Sequence, residues 1–128
     1  MEDQPMDWEE LQKERFLKDP EAKDRWERMA LARAVAIAMI RYRARHGLSQ
    51  RAVARKLGVP QSHIARLELG EHNPSIETLR WLAQGLGIGF VIGVLPSGHS
   101  GTLRLPEGAE MLTDTDAESR GLMVAVTG

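Results

Sequence analysis

Residues 48–70, LSQRAVARKLGVPQSHIARLELG, decide the fold. Ser49 is a natural N-cap and opens a helix over Gln50–Leu57. Gly58 stops that helix, because glycine tolerates the left-handed backbone of a helix C-terminus. Pro60 fixes the backbone ahead of a second helix, Gln61–Leu69, which Gly70 closes. Two helices joined so tightly must cross closely. Ala54 and Gly58 are expected at the close approach, and Val53, Leu57, Ile64 and Leu67 supply the apolar surface to bury. These positions are read as core, with no other role.

The flanks extend the helical pattern. Asp19-Pro20-Glu21 combines an N-cap, a proline at the first helical position and an acid in the first turn. No Pro or Gly follows until Gly47, so residues 20–46 form one long helix or two abutting ones. Upstream, residues 1–18 are acidic with spaced large apolar residues. Trp8, Leu11 and Arg15 fall on one face of a short amphipathic helix. Downstream, Glu71-His72-Asn73-Pro74 is a turn, and Ser75 caps a helix from Ile76 to about Leu86 whose Leu79, Leu82, Ala83 and Leu86 share a face. Residues 89–95, GFVIGVL, are β-branched, short and bounded by Gly and Pro, which predicts a strand. Beyond Pro96 the composition turns to Gly, Ser, Thr and acids. That predicts a mobile tail, with some strand potential at 102–105 and 122–126. The expected fold is mainly α: a bundle of four or five helices followed by one short strand.

Charge is unevenly spread. The net charge is −1, yet residues 31–70 hold eight bases and one acid, while the segments on either side each carry a net −4. The basic block (Arg33, Arg41, Arg43, Arg45, Arg51, Arg55, Lys56, Arg66) coincides with the paired helices. Such a coincidence is an electrostatic footprint for a polyanion rather than a merely solvated face. Two short helices in a tight turn, with a polar, basic start to the second, have the plan of a helix-turn-helix, whose second helix enters the major groove of DNA.

The residues at the start of that second helix suit the task. Free N–H groups and the positive helix end favour phosphates there. Gln61 can pair bidentately with adenine, Arg66 with guanine, and Ser62 with several bases. Simple capping is the alternative role of Gln61 and Ser62, and a solvent-facing position that of His63. Gln50, at the start of the first helix, sits where a side chain would touch a phosphate. Arg45, Arg51 and Asn73 complete the expected DNA contacts. Glu68 is the one acid in the block and would repel phosphate, so it is expected to turn inward to a cation, with Arg43 the best partner.

The same residues resemble the xenobiotic-response-element and phage-repressor family, the lambda-repressor and Cro lineage. The match runs from about Met39 to Leu86: Arg43 before Gly47-Leu48-Ser49-Gln50, then Ala54, Leu57-Gly58-Val59, Gln61-Ser62, Ile64, Arg66, Glu68 and Gly70, and Asn73-Pro74-Ser75 with Thr78-Leu79. The resemblance implies a lambda-repressor-like bundle acting as a homodimer on palindromic double-stranded DNA. It supports Gln50 as a phosphate contact, Gln61, Ser62 and Arg66 as base readers, and Arg43 with Glu68 as a structural ion pair. Pro60 departs from the Ser or Thr often found there, so the second helix must be capped differently. The flanks resemble antitoxins of the HigA and HipB kinds, which bind a toxin and repress their own operon. On that reading Trp8, Leu11, Phe16, Leu17 and Trp26 are toxin anchors. Phe90, Val91, Ile92 and Val94 would then pair a strand across the dimer. A stand-alone repressor is the alternative, as is a fold in which Trp8 and Phe16 pack back on the bundle.

The expected organisation is an acidic helical extension (1–32), the DNA-binding domain (33–88), a dimerisation strand (89–95) and a flexible acidic tail (96–128). The chain has no cysteine, and His46, His63, His72 and His99 lack metal-ligand spacing, so no metal or other cofactor is expected. The longest apolar run, residues 34–40, is too short to span a bilayer, and the acidic N-terminus lacks signal-peptide order; a cytoplasmic protein, nucleoid-associated when bound to DNA, is expected. An enzyme is rejected. Gly98-His99-Ser100-Gly101-Thr102 looks like a nucleophile elbow, but Thr102 stands where glycine is required.

Overall fold

Asp19 caps the helix that follows it: its Oδ1 accepts from the Glu21 N–H at 3.1 Å and opens α1 (Pro20–Arg28). At Met29 the backbone leaves helical geometry (φ −93°, ψ 11°), and α2 (Ala30–His46) starts at once, so the two abutting helices are what forms. The structure is a computed structural model that describes residues 11, 14–15, 18–96, 104–113 and 121–128. α3 (Gln50–Leu57) and α5 (Ile76–Leu86) are capped as their sequences imply. Ser49 Oγ accepts from Ala52 N–H and Ser75 Oγ from Thr78 N–H, each at 3.1 Å. Between them lies α4 (Gln61–Leu69).

Packing buries the residues expected at the crossing. Val53 and Ile64 are fully buried with Met39 of α2 and Leu82 of α5, and Leu57 and Leu67 pack against this cluster. Burying each such aliphatic side chain stabilises the fold by about 1.5–3 kcal/mol. The expected close approach at Gly58 is corrected: a Cβ there would meet nothing within 4 Å, and glycine is needed for the left-handed turn, φ +70°. The close approach is at Gly85 of α5, where a Cβ would overlap the Leu57 side chain.

The C-terminal part departs most from expectation. β1 (Gly89–Val94), β2 (Glu110–Met111) and β3 (Leu122–Thr127) form an antiparallel sheet in the order β1-β3-β2. The register sets Phe90 beside Val126 and Ile92 beside Val124, and the face carrying them packs on the bundle. Residues 96–128 are therefore not a flexible tail throughout. The strand potential at 122–126 is realised in the sheet's central strand, whereas residues 104–105 are not strand. Among the described residues, β3 takes one edge of β1 and no strand pairs with the other.

One ion pair lies between α2 and α4. Arg43 Nε donates to both Glu68 oxygens at 3.1 and 2.9 Å, and Nη2 to Oε1 at 2.5 Å. Arg43 Nη1 also reaches the Leu48 carbonyl at 3.3 Å, tying in the turn before α3. The Glu68 side chain is only 5% exposed. Its hydrogen bonds push the Arg43 guanidinium further above its already high pKa, so the cation persists at any working pH. Removing one partner strands the other. Glu68→Ala is expected to cost about 3–5 kcal/mol in urea denaturation, while Arg43→Met with Glu68→Leu recovers most of that loss.

Candidate nucleic-acid interface

α4 places the expected readers on an exposed surface. Gln61, Ser62, His63 and Arg66 are all exposed, with Ile64 and Leu67 turned to the core. No side chain caps this helix among the described residues. Pro60 holds the N-cap position in extended backbone, and its carbonyl accepts from the His63 N–H at 3.0 Å. The departure at Pro60 therefore leaves the first turn without the side chain that would cover its amides, a surface suited to phosphate.

Gln61 Nε2 donates to Gln50 Oε1 at 2.8 Å, so the first residues of α3 and α4 are joined side chain to side chain. A glutamine held by another keeps one amide end oriented, and the remaining donors and acceptors point to fixed places. His63 is braced by Trp81 of α5, edge to face at 5.4 Å between ring centres. Sequence reasoning missed both contacts: the two residues are 11 positions apart in the first case and lie on different helices in the second.

The basic block does not form one face. Arg43 faces α4, and residues two positions away on a helix are turned by about 200°. Arg41 and Arg45 accordingly face the sheet, where both meet Glu110, at 2.6 and 3.5 Å. Arg45, expected as a phosphate contact, thus has an acid beside it while its side chain stays 59% exposed. Arg33 lies over the Trp26 ring at 3.6 Å and donates to its carbonyl. Lys56 donates to the Tyr42 hydroxyl at 2.8 Å. Arg51, Arg55 and Arg66 are the exposed arginines of α3 and α4.

Asn73, expected as a DNA contact, has two partners within the protein. Its Oδ1 accepts from the Ala32 N–H at 3.0 Å and its Nδ2 donates to the Arg28 carbonyl at 2.8 Å, so the amide clamps the α1–α2 junction to the loop before α5. Trp8, Phe16 and Leu17 lie outside the described residues. Leu11 is helical and half-buried, and Trp26 is 44% exposed beneath Arg33. Val94 is exposed at the end of β1, while Phe90 and Ile92 pack inward. No cluster of metal-ligating side chains occurs among the described residues, and none of their helices is long and apolar enough to cross a membrane.

A family model described as helix-turn-helix matches residues 39–92. An uncharacterized HTH-type transcriptional regulator, y4dJ, of Sinorhizobium fredii is 36% identical over 72 residues, which cover 56% of this chain and 94% of that protein. The chain belongs to the helix-turn-helix family of transcriptional regulators. It is a DNA-binding regulator, not an enzyme. The crystal structure of the hypothetical transcription factor NHTF from Neisseria is also similar, at 26% identity and a TM-score of 0.42. That likeness covers 45% of this chain and 65% of the other.

The two hydrogen bonds of Asn73 give it a structural role in this regulator. Asn73→Ala is expected to lower stability by about 1–3 kcal/mol, since two backbone groups lose their partner. The slope of log K against log salt for DNA should stay unchanged, as measured by fluorescence anisotropy.

Proposed function

We propose that this regulator represses transcription by laying α4 in the major groove of a palindromic operator, as a homodimer, and that it serves as the antitoxin of a toxin–antitoxin pair. The observation that carries the DNA part is the Gln50–Gln61 bond of 2.8 Å beside the exposed, side-chain-uncapped start of α4. On this reading Gln50 and Arg51 hold the phosphate backbone, while Gln61, Ser62, His63 and Arg66 read bases. Dimerisation is supported by the edge of β1 that no strand among the described residues occupies, a row of backbone donors and acceptors that a second strand can pair. The antitoxin role is supported by the acidic, apolar-studded sequence of residues 1–18 and by the exposed Trp26, which suit a basic protein partner.

The reading is tested on the DNA upstream of the gene, with scrambled DNA as control, by anisotropy across a salt series. Specific binding is expected about 10³-fold tighter than random binding, with a steep salt slope. Arg66→Ala should cost about 1–3 kcal/mol on the specific site and little on random DNA. Equal loss on both would make Arg66 a phosphate contact. Deleting residues 1–18 should spare DNA binding and weaken co-purification of the protein encoded by the neighbouring gene. Loss of both together would sink the division of labour between the extension and the helix-turn-helix.

A further inference from the structure

The side of α2 turned away from α4 carries a second constellation. Arg41 and Arg45, one helical turn apart, converge on Glu110 of β2, with contacts of 2.6 Å to Oε1 and 3.5 Å to Oε2. Beside them a cavity of about 130 Å³ opens between α2 and the sheet, floored by Ile88 and Val126 and edged by Tyr42 and Gly108. We infer that this cleft is a binding site for a small oxyanion, a carboxylate or a phosphate, held between Arg41 and Arg45, and that Glu110 occupies the arginines until the anion replaces it.

Three observations carry this inference. Glu110 itself demonstrates the chemistry, since a carboxylate bridging two guanidiniums is the arrangement a bound oxyanion would take. The exchange is cheap, because the three side chains are 47%, 59% and 48% exposed and an ion pair of that exposure contributes little stability. There is also room beside the pair: the cavity has the share of liquid taken by about four water molecules. With Glu110 moved aside, two full positive charges face the cleft. Because α2 places these arginines opposite Arg43, the site is separate from the α3–α4 surface proposed for DNA.

The test is a titration of the full-length, isotope-labelled protein with inorganic phosphate and, separately, with succinate, followed by amide NMR shifts at constant ionic strength in chloride. Saturable shifts at Ala38, Ile88 and Gly108 are expected with at least one of the two, and which one saturates identifies the source of the anion. Arg41→Gln with Arg45→Gln should abolish them. Glu110→Gln should tighten binding by about five-fold or more, because a competing negative charge is gone, and a misfolded variant cannot produce that gain. The inference is overturned if neither anion saturates, if the shifts fall only around Arg51, Gln61 and Arg66, or if Glu110→Gln binds no tighter. It is overturned equally if the double arginine variant flattens the DNA salt slope by about two, which would make Arg41 and Arg45 phosphate contacts of the duplex.

Discussion

The relation between α2 and α4 hangs on a single pair of opposite charges. Glu68 is buried beneath the surface proposed to meet DNA, and Arg43 is the cation that satisfies it. Such a pair gives modest net stability, because both ions lose water. Its effect is geometric. Two aliphatic helix faces can slide or rotate against one another at small cost, whereas a guanidinium that donates from two nitrogens to one carboxylate accepts only a narrow range of angles. The same guanidinium touches the Leu48 carbonyl. One side chain thus sets α4 and the turn leading into α3, and the Gln50–Gln61 bond operates within that frame.

The helical period of α2 then distributes its other charges. With Arg43 committed to α4, Arg41 and Arg45 have no choice but the opposite side, and the sheet supplies the acid they meet. A basic block that is continuous in sequence is therefore divided in space. Counting charges over residues 31–70 rightly points to a polyanion partner, but the count overstates how many of those bases one ligand can touch. Asn73 is likewise engaged within the protein. Its turn position makes its amide geometrically suited to backbone groups, and it binds two of them.

Local rules made most of the bundle legible in the sequence. Ser49, Ser75 and Asp19 announce helix starts, and Gly47, Gly58 and Gly70 announce ends, because each acts through a conformation or hydrogen bond within a few residues. The Arg43–Glu68 pair was legible too, since a lone acid in a basic block needs an inward partner. The break at Met29 was not decided, as no Pro or Gly marks it. The sheet was half legible: residues 122–127 have strand composition, but their partners at 89–94 lie some thirty residues away, across a stretch of Gly, Ser and acids. Short strands of that kind gain their stability from pairing and burial, which periodicity does not report. Glu110 gave no signal, because nothing in sequence ties it to Arg41 or Arg45.

What the sheet adds to a helix-turn-helix follows from where it sits. The bundle closes its core mainly through α2, α3, α4 and α5, and Phe90, Ile92 and Val126 add an apolar cover on the far side. That cover brings Glu110 with it. Two arginines that would otherwise extend the positive potential around α2 are neutralised in part by that one acid, and Arg33 is stacked on Trp26. Among the described residues, the bases of α3 and α4 without an acid partner are Arg51, Arg55, Lys56 and Arg66. A charge distribution concentrated on one face orients the protein during encounter with DNA, whereas charge spread around the bundle would attract DNA to surfaces that cannot read it. On this argument the sheet, although far from the proposed readers in sequence, sharpens the proposed approach of α4 to the groove by removing competing positive surface.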